Sequence, residues 1–216
     1  MSDLLKIMSV RVIFLLTCLL AAGPLAADSQ LDDLELVQAL RAGGYNIYFR
    51  HVATDWSQSD DVREVDDWRS CDPLRMRQLS TAGRDAARAI GVAMRRLAIP
   101  VDEVLASPYC RTVETATLME LGKVNESMQV MNLRAAGYVG GRASVVANAQ
   151  ELLASPPGAA GNRVIVAHGN VAREATPAYP GEGEALVFEP DATGGFVLRG
   201  RIAVSDWLRL VELAND

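Results

Sequence analysis

The eight residues RVIVAHGN, from Arg163 to Asn170, decide how the chain folds. The first five form an apolar, β-branched run that is typical of a buried strand in a parallel sheet. A second run of this kind, Tyr45–Arg50 (YNIYFR), ends directly before His51, just as the first ends directly before His168. Ligands of parallel sheets gather at the carboxyl ends of the strands, so both histidines lie where a functional site is expected.

Around these two runs, the chain alternates between strand and helix patterns. Strands are predicted at residues 45–50, 101–106, 128–132, 163–167, 184–188 and 196–202. Helices are predicted at residues 31–41, 80–98, 107–121, 143–153 and 206–213, and the polar stretch 52–79 is predicted to be a long loop. Ser107 and Pro108 suit the first positions of the third helix as N-cap and first-turn residue. The alternation predicts an α/β fold, a three-layer α/β/α sandwich with a mostly parallel central sheet.

The N-terminal 27 residues differ from the rest in composition. Lys6 and Arg11 precede the apolar run Val12–Ala22, and small residues follow it. This order is typical of a cleaved secretory signal, and the run is shorter than the roughly 20 residues that span a bilayer. An uncleaved membrane anchor is the alternative. We expect a signal peptide at residues 1–27, one domain at residues 28–216, and a periplasmic or secreted protein with no membrane attachment after cleavage.

The overall composition excludes some classes of function. Half of the residues are hydrophobic and 22% are charged, which is typical of a globular protein. The net charge of −6 argues against nucleic-acid binding, because that function needs a basic face, but it leaves room for a small cationic pocket. The oligomeric state is not predicted.

Two cysteines, Cys71 and Cys110, follow residue 27. In an exported protein, two such cysteines are more often paired than free, so we hypothesise a disulfide between them. With only two histidines in the chain, they are too few for a cysteine-rich zinc site.

Three predicted strand ends deliver one set of polar side chains to the same edge of the sheet. The strand at residues 101–106 is followed by Arg111, and the other two strands end at Arg50-His51 and His168. A neutral imidazole is a nucleophile toward phosphorus near pH 7, and arginines bind phosphoryl oxygens through paired hydrogen bonds. Because fixed cations also stabilise the transition state, this chemistry requires no metal and no other cofactor.

Four segments of the sequence resemble motifs of the histidine phosphatase superfamily, the phosphoglycerate-mutase-like proteins, and occur in the same order. They are Arg50-His51 with Thr54 and Trp56, Leu79-Ser80 with Gly83 and Ala86-Ala87, Ser107-Pro108-Tyr109-Cys110-Arg111-Thr112 with Thr115-Ala116, and Val166-Ala167-His168-Gly169-Asn170. The resemblance covers residues 45–170.

The resemblance implies a metal-independent phosphomonoester hydrolase, similar to the histidine acid phosphatases, that acts on a small phosphorylated substrate. His51 would attack phosphorus in line and form a phosphohistidine intermediate. Arg50, Arg111 and His168 would bind the phosphoryl oxygens, with Thr54 as a further phosphate ligand. A carboxylic acid would protonate the leaving oxygen and then activate the water that hydrolyses the intermediate.

The sequence departs from the family beside the nucleophile and at the proton donor. Val52 stands where the family has glycine, which puts the phosphate contact of this loop in doubt. One branch of the family places a glutamate after a leucine where this chain has Leu133-Arg134. The other branch places an acid directly after the second histidine, where this chain has Gly169-Asn170.

Glu182 and Glu184 remain the main candidates for the proton donor, because Gly181 and Gly183 flank Glu182 and allow a close approach. The weaker candidates are Glu126 and Asp55, and Glu114 is expected to pair with an arginine instead. Among the loop arginines Arg69, Arg75 and Arg77, we expect at most one to reach the phosphate or an anionic leaving group.

Two other functions stay open. A catalytically weak or inactive phosphate-binding or regulatory protein of the same fold would explain the missing donor. A phosphomutase is disfavoured by export, because the usual mutase substrates are cytoplasmic metabolites. For a hydrolase, the sequence does not define the natural substrate. A phosphosugar of the cell envelope and a phosphohistidine protein are two candidates, and export favours the first.

Overall fold

The structure is a computed structural model that describes residues 30–158 and 160–214, so the predicted signal peptide at residues 1–27 lies outside the described residues. The strands are β1 (Asn46–Arg50), β2 (Val101–Ala106), β3 (Val124–Glu126), β4 (Asn162–Ala167), β5 (Ala185–Pro190) and β6 (Phe196–Ile202). The helices are α1 (Asp33–Ala42), α2 (Thr81–Arg96), α3 (Cys110–Met119), α4 (Arg142–Ala154), α5 (Gly169–Ala175) and α6 (Asp206–Leu213). Within the described part of the chain, none of the helices is long and apolar enough to cross a bilayer.

The six strands form one sheet in the order β3-β2-β4-β1-β5-β6. The first four are paired in parallel, while β5 lies antiparallel between β1 and β6. Five of the six strands therefore run in the same direction, which confirms the mostly parallel sheet.

Helices cover both faces of this sheet, because side chains of a strand point alternately to the two faces. Ile47 and Phe49 of β1 belong to a core that also contains side chains of α1, α2, α3 and α6. Tyr48, between them, belongs to the opposite core with side chains of α4 and α5. The three layers confirm the predicted α/β/α sandwich.

Helix α2 begins beside the loop that follows His51. The Ser80 hydroxyl caps the helix by accepting a hydrogen bond from the Gly83 amide at 3.0 Å. A Cβ atom at Gly83 would lie 2.0 Å from the Ala53 carbonyl oxygen. Only glycine therefore allows the helix to pack directly against the backbone next to His51.

Three local features of the structure differ from the sequence-based prediction. Residues 128–130 form a 3₁₀ helix, and the strand lies earlier, at 124–126. The apolar pattern there reflects burial of Val130 in the core against α4, not strand alternation. Helix α3 begins at Cys110 rather than at Ser107, since the Ser107 hydroxyl bonds to His168 and does not cap the helix. Helix α5 was not predicted.

The topology places the predicted site residues at one edge of the sheet. Strands β2, β4 and β1 are neighbours, and their carboxyl ends lead into Ser107, His168 and His51. Because β5 is antiparallel to β1, it begins at the edge of the sheet where β1 ends. The segment 181–184, which precedes β5, therefore lies beside the end of β1. Its Gly183 amide donates to the carbonyls of Arg50 and His51 at 3.1 and 3.0 Å.

Candidate active site

A cavity of about 120 Å³ opens at this edge. It brings together the four side chains that the strand ends were expected to deliver: Arg50, His51, Arg111 and His168. The other lining residues are Trp56, Asp60, Arg77, Asn132, Arg134, Gly169, Asn170 and Tyr179. Four arginines and two histidines therefore surround a space that has one carboxylic acid among its described lining residues.

His51 is buried and held in one orientation. Its backbone amide donates to the Ala167 carbonyl at 3.0 Å, and its Nδ1 lies 3.0 Å from the Val52 carbonyl oxygen. A carbonyl only accepts, so Nδ1 carries the proton and Nε2 keeps its lone pair. Burial lowers the pKa of the His51 imidazole well below its ordinary value of 6.5, and the Arg111 guanidinium lowers it further. The ring is therefore uncharged at neutral pH.

His168 lies across the cavity, with its ring centre 5.7 Å from that of His51. Its Nε2 is 2.8 Å from the Ser107 hydroxyl, and its ring packs edge-on against Tyr109 at 4.7 Å. Nδ1 has no hydrogen-bond partner among the described residues. In the tautomer in which Nε2 accepts from the Ser107 hydroxyl, Nδ1 carries the proton and can donate to an anion. Burial, followed by Arg111 and His51, lowers the pKa of His168 as well.

The two buried imidazoles are expected to make the protein less stable in weak acid. Below pH 6.5 each histidine takes up a proton in the unfolded chain, whereas the lowered pKa keeps it neutral in the folded protein. The unfolded state then binds more protons, so the free energy of unfolding falls as the pH decreases, by up to about 1.4 kcal/mol per pH unit for each histidine.

Urea unfolding at about pH 7.5 and about pH 5.5 measures this effect. The variant His168→Gln, which removes one of the two groups, is expected to show about half of the wild-type difference. Equal stability of the wild type at the two pH values would contradict the burial of neutral imidazoles.

Arg50 is held at the cavity by groups from the segment before β5. Its guanidinium donates to the Pro180 carbonyl at 3.3 Å and to Glu182 Oε1 at 3.4 Å. The Thr54 hydroxyl donates to the same Oε1 at 2.9 Å, and the Trp56 indole donates to Oε2 at 3.4 Å. Glu182 thus links Arg50 to the loop after His51 through hydrogen bonds. Thr54 was predicted as a phosphate ligand, but its hydroxyl is used by Glu182 and it does not line the cavity.

Arg111 makes a buried ion pair that the sequence did not predict. Its two terminal nitrogens contact the two carboxylate oxygens of Asp60 at 2.8 and 3.0 Å, and the Arg111 and Asp60 side chains are 1% and 4% exposed. The guanidinium also lies 4.6 Å from the centre of the Tyr109 ring. Asp60 accepts a further hydrogen bond from the Arg77 amide at 3.1 Å. A carboxylate therefore occupies the fork of the arginine that was expected to bind phosphate.

Several polar atoms around the cavity are buried without a hydrogen-bond partner among the described residues. They are Arg77 Nε, Arg111 Nε, Tyr109 Oη, His168 Nδ1 and Asn170 Oδ1. Buried polar groups normally find a partner, and each one left unpaired costs about 1–3 kcal/mol. Most of these atoms are donors, so the cluster is suited to an anion.

Of the three loop arginines, the structure brings Arg77 to the cavity. Its guanidinium stacks 4.0 Å from the centre of the Trp56 ring. Arg69 pairs with Glu126 and Arg75 with Asp67, both away from the histidines. Arg134 also lines the cavity and is exposed. Asn132 links this segment to α5 by accepting from the Asn170 amide at 2.9 Å.

The structure does not bring Glu184 to the histidines, which corrects that expectation. Its carboxylate is bound by the Arg201 guanidinium at 2.7 and 3.0 Å and by the Gly181 amide at 2.7 Å. Arg201 lies across the β5–β6 hairpin and lowers the pKa of Glu184 against the effect of burial. The weaker candidates are also engaged elsewhere: Glu126 with Arg69, Asp55 with its own turn, and Glu114 with Arg84.

The predicted Cys71–Cys110 disulfide is present, with Cα atoms 5.4 Å apart. It joins the long loop to the residue before Arg111, and both cysteines line a larger groove of about 1110 Å³ that shares Trp56 with the cavity. The bond closes a loop with a sequence separation of 39 residues. It therefore restricts the unfolded chain and fixes the loop that carries Asp60 and Arg77.

Replacing both cysteines by serine is expected to lower the free energy of unfolding by about 2–4 kcal/mol, because the unfolded chain regains the freedom that the closed loop removes. Urea unfolding of the wild type with and without dithiothreitol should show the same loss. The double variant is the control, since reductant should not affect it. A wild type that is equally stable in reductant would contradict a structural disulfide.

No family profile matches the chain, and no curated protein is similar to it in sequence. Solved structures do match. The protein histidine phosphatase SixA complexed with tungstate has a TM-score of 0.51 and 16% identity, over 75% of this chain and 98% of that one. A protein from Escherichia coli assigned as an alpha-ribazole-5'-P phosphatase has a TM-score of 0.52 and 13% identity, over 75% of this chain and 98% of that one. At these identities the likeness shows the fold alone, the α/β/α fold that the chain shares with these two proteins.

Proposed function

We propose that the protein is a phosphomonoester hydrolase that forms a phosphohistidine intermediate on His51. The observation that carries the proposal is the set of arginines and unpartnered polar atoms that surround two facing neutral imidazoles. Such a set suits a tetrahedral dianion, and it provides a nucleophile at the same place. The likeness in fold to phosphatases supports the reaction class.

In the first step, His51 Nε2 attacks phosphorus and the bond to the leaving oxygen breaks. Arg50, Arg111 and His168 bind the phosphoryl oxygens and stabilise their charge in the transition state. In the second step, water attacks phosphorus, the bond to Nε2 breaks, and inorganic phosphate leaves. The arginines supply the positive charge that a metal ion supplies in other phosphatases, so we propose a metal-independent reaction.

The leaving group is proposed to extend past Trp56 into the groove of about 1110 Å³. Small phosphorylated molecules with a sugar or aryl leaving group would fit this arrangement. The Cys71–Cys110 disulfide supports an oxidising compartment, and together with the signal pattern of residues 1–27 it supports action in the periplasm or outside the cell.

Phosphate release from p-nitrophenyl phosphate and from a panel of phosphosugars tests the proposal. The purified protein is expected to turn over at least one of these substrates at the same rate with and without a chelator. Binding of vanadate without turnover of any substrate would favour the alternative, a phosphate-binding or regulatory protein of the same fold.

A further inference from the structure

Asp60 is the one carboxylic acid among the described residues that line the cavity. It lies in the long loop after β1, at neither of the two positions where the family places an acid. Its side chain is 4% exposed, and its oxygens contact Arg111 and the Arg77 amide. Asp60 therefore lines the same cavity as His51 and contacts Arg111, whereas Glu182 and Glu184 do not line this cavity.

A phosphoryl group that binds the two terminal nitrogens of Arg111 competes with Asp60 for them. The guanidinium fork that now holds the carboxylate is the one expected to hold two phosphoryl oxygens. A carboxylate next to a phosphoryl dianion repels it, and protonation of the carboxyl relieves the repulsion. A phosphoryl group in the fork of Arg111 would thus leave the Asp60 carboxyl beside it without its ion-pair partner.

We propose that Asp60 is the proton donor of the reaction, an assignment that rests on the proposed function. On substrate binding, Asp60 releases Arg111 and takes up one proton from solvent. As His51 Nε2 forms its bond to phosphorus, the bond to the leaving oxygen breaks and the Asp60 carboxyl gives that oxygen its proton. Asp60, now a carboxylate, then takes a proton from the water that attacks phosphorus, which restores the acid while the bond to His51 breaks.

Glu182 is a positioning residue in this scheme. Its two oxygens accept hydrogen bonds from Thr54, Arg50 and Trp56. Its effect reaches the reaction through the guanidinium of Arg50. Loss of Glu182 should consequently weaken substrate binding by a similar factor for every leaving group.

A comparison of leaving groups tests the assignment. Alkoxide is a poor leaving group that needs a proton, whereas p-nitrophenolate departs without one. The variant Asp60→Asn is expected to lower kcat/KM, which reports the step in which the leaving group departs, by about 10²–10⁴-fold for an alkyl phosphate and by less than about tenfold for p-nitrophenyl phosphate. Inhibition by inorganic phosphate should become tighter, because asparagine competes for Arg111 less well than a carboxylate.

Two variants serve as controls. Asp61→Asn makes the same chemical change at the next residue, where the side chain is 47% exposed and pairs with Arg63, and it should leave both rates unchanged. Glu182→Gln should lower kcat/KM for the two substrates by similar factors. Circular dichroism and urea unfolding check that Asp60→Asn folds.

The leaving-group comparison tests the role of Asp60 separately from the proposed hydrolase activity. Equal losses on the two substrates, or no loss, overturn the role of Asp60 while leaving the hydrolase intact. The wild type provides a test that needs no variant, since a wild type that cleaves the aryl but not the alkyl ester lacks any proton donor. A wild type that cleaves neither ester overturns the proposed function and this assignment with it.

Discussion

The variant His51→Asn is expected to lower kcat by about 10⁴-fold or more, because loss of a nucleophile removes the covalent route altogether. Asparagine is the informative replacement. Its side-chain amide can donate to the Val52 carbonyl, as Nδ1 of His51 does now at 3.0 Å, but it offers no nucleophilic nitrogen. Steady-state phosphate release with p-nitrophenyl phosphate measures the change.

The same variant separates catalysis from binding. Arg50, Arg111 and His168 remain in place, so His51→Asn should still bind vanadate or inorganic phosphate. Urea unfolding is the control for the fold. A variant that keeps more than about a hundredth of the wild-type kcat would mean that His51 does not carry the phosphoryl group.

The variant Arg111→Lys is expected to lower kcat/KM by about 10²–10³-fold. Lysine keeps the positive charge that the buried Asp60 requires, so the fold should persist. It loses the planar fork, however, and a single ammonium group cannot bind two phosphoryl oxygens in the same geometry. Two parallel hydrogen-bond donors would therefore be lost where charge develops on the phosphoryl oxygens in the transition state.

Arg142→Lys is the matched control for this substitution. Arg142 makes an ion pair with Glu174 at the surface, where an arginine and a lysine are nearly equivalent. It should leave kcat/KM unchanged. A loss of less than about tenfold in Arg111→Lys would contradict the bidentate role of Arg111.

Most of the fold could be predicted from the sequence, because burial on both faces of a parallel sheet produces continuous apolar runs. The runs that end before His51 and His168 became β1 and β4, which are neighbours in the sheet. Helix α5 escaped prediction because it has seven residues and begins at Gly169-Asn170, with no side-chain cap. The strand predicted at residues 128–132 failed because burial of a 3₁₀ segment gives the same apolar signal as a strand.

The site could be predicted only where regular structure fixes the direction of a side chain. Arg50, His51 and His168 follow directly from strand ends, and the alternation of strands and helices placed those ends together. Asp60 comes from a loop whose path has no periodic signal, so its approach to Arg111 was not visible in the sequence.

Glu184, in contrast to Asp60, was predicted to reach the site but is bound elsewhere. It stands at the correct edge of the sheet, directly before β5, and this position made it a candidate for the proton donor. Cross-strand pairing decided otherwise, because Leu186 pairs with Arg201 on β6 and this register places the Arg201 guanidinium on the Glu184 carboxylate. Such a contact depends on hairpin register, which the sequence did not define.

Mapping of the phosphorylated residue during turnover tests the central claim most directly. The purified wild type would be mixed with substrate, quenched rapidly in alkali to preserve phosphohistidine, digested, and analysed by mass spectrometry. One phosphoryl group is expected on the peptide that contains His51, and none on the peptide that contains His168. Active turnover with no phosphoryl group on residue 51, or with the label on another residue, would contradict the account.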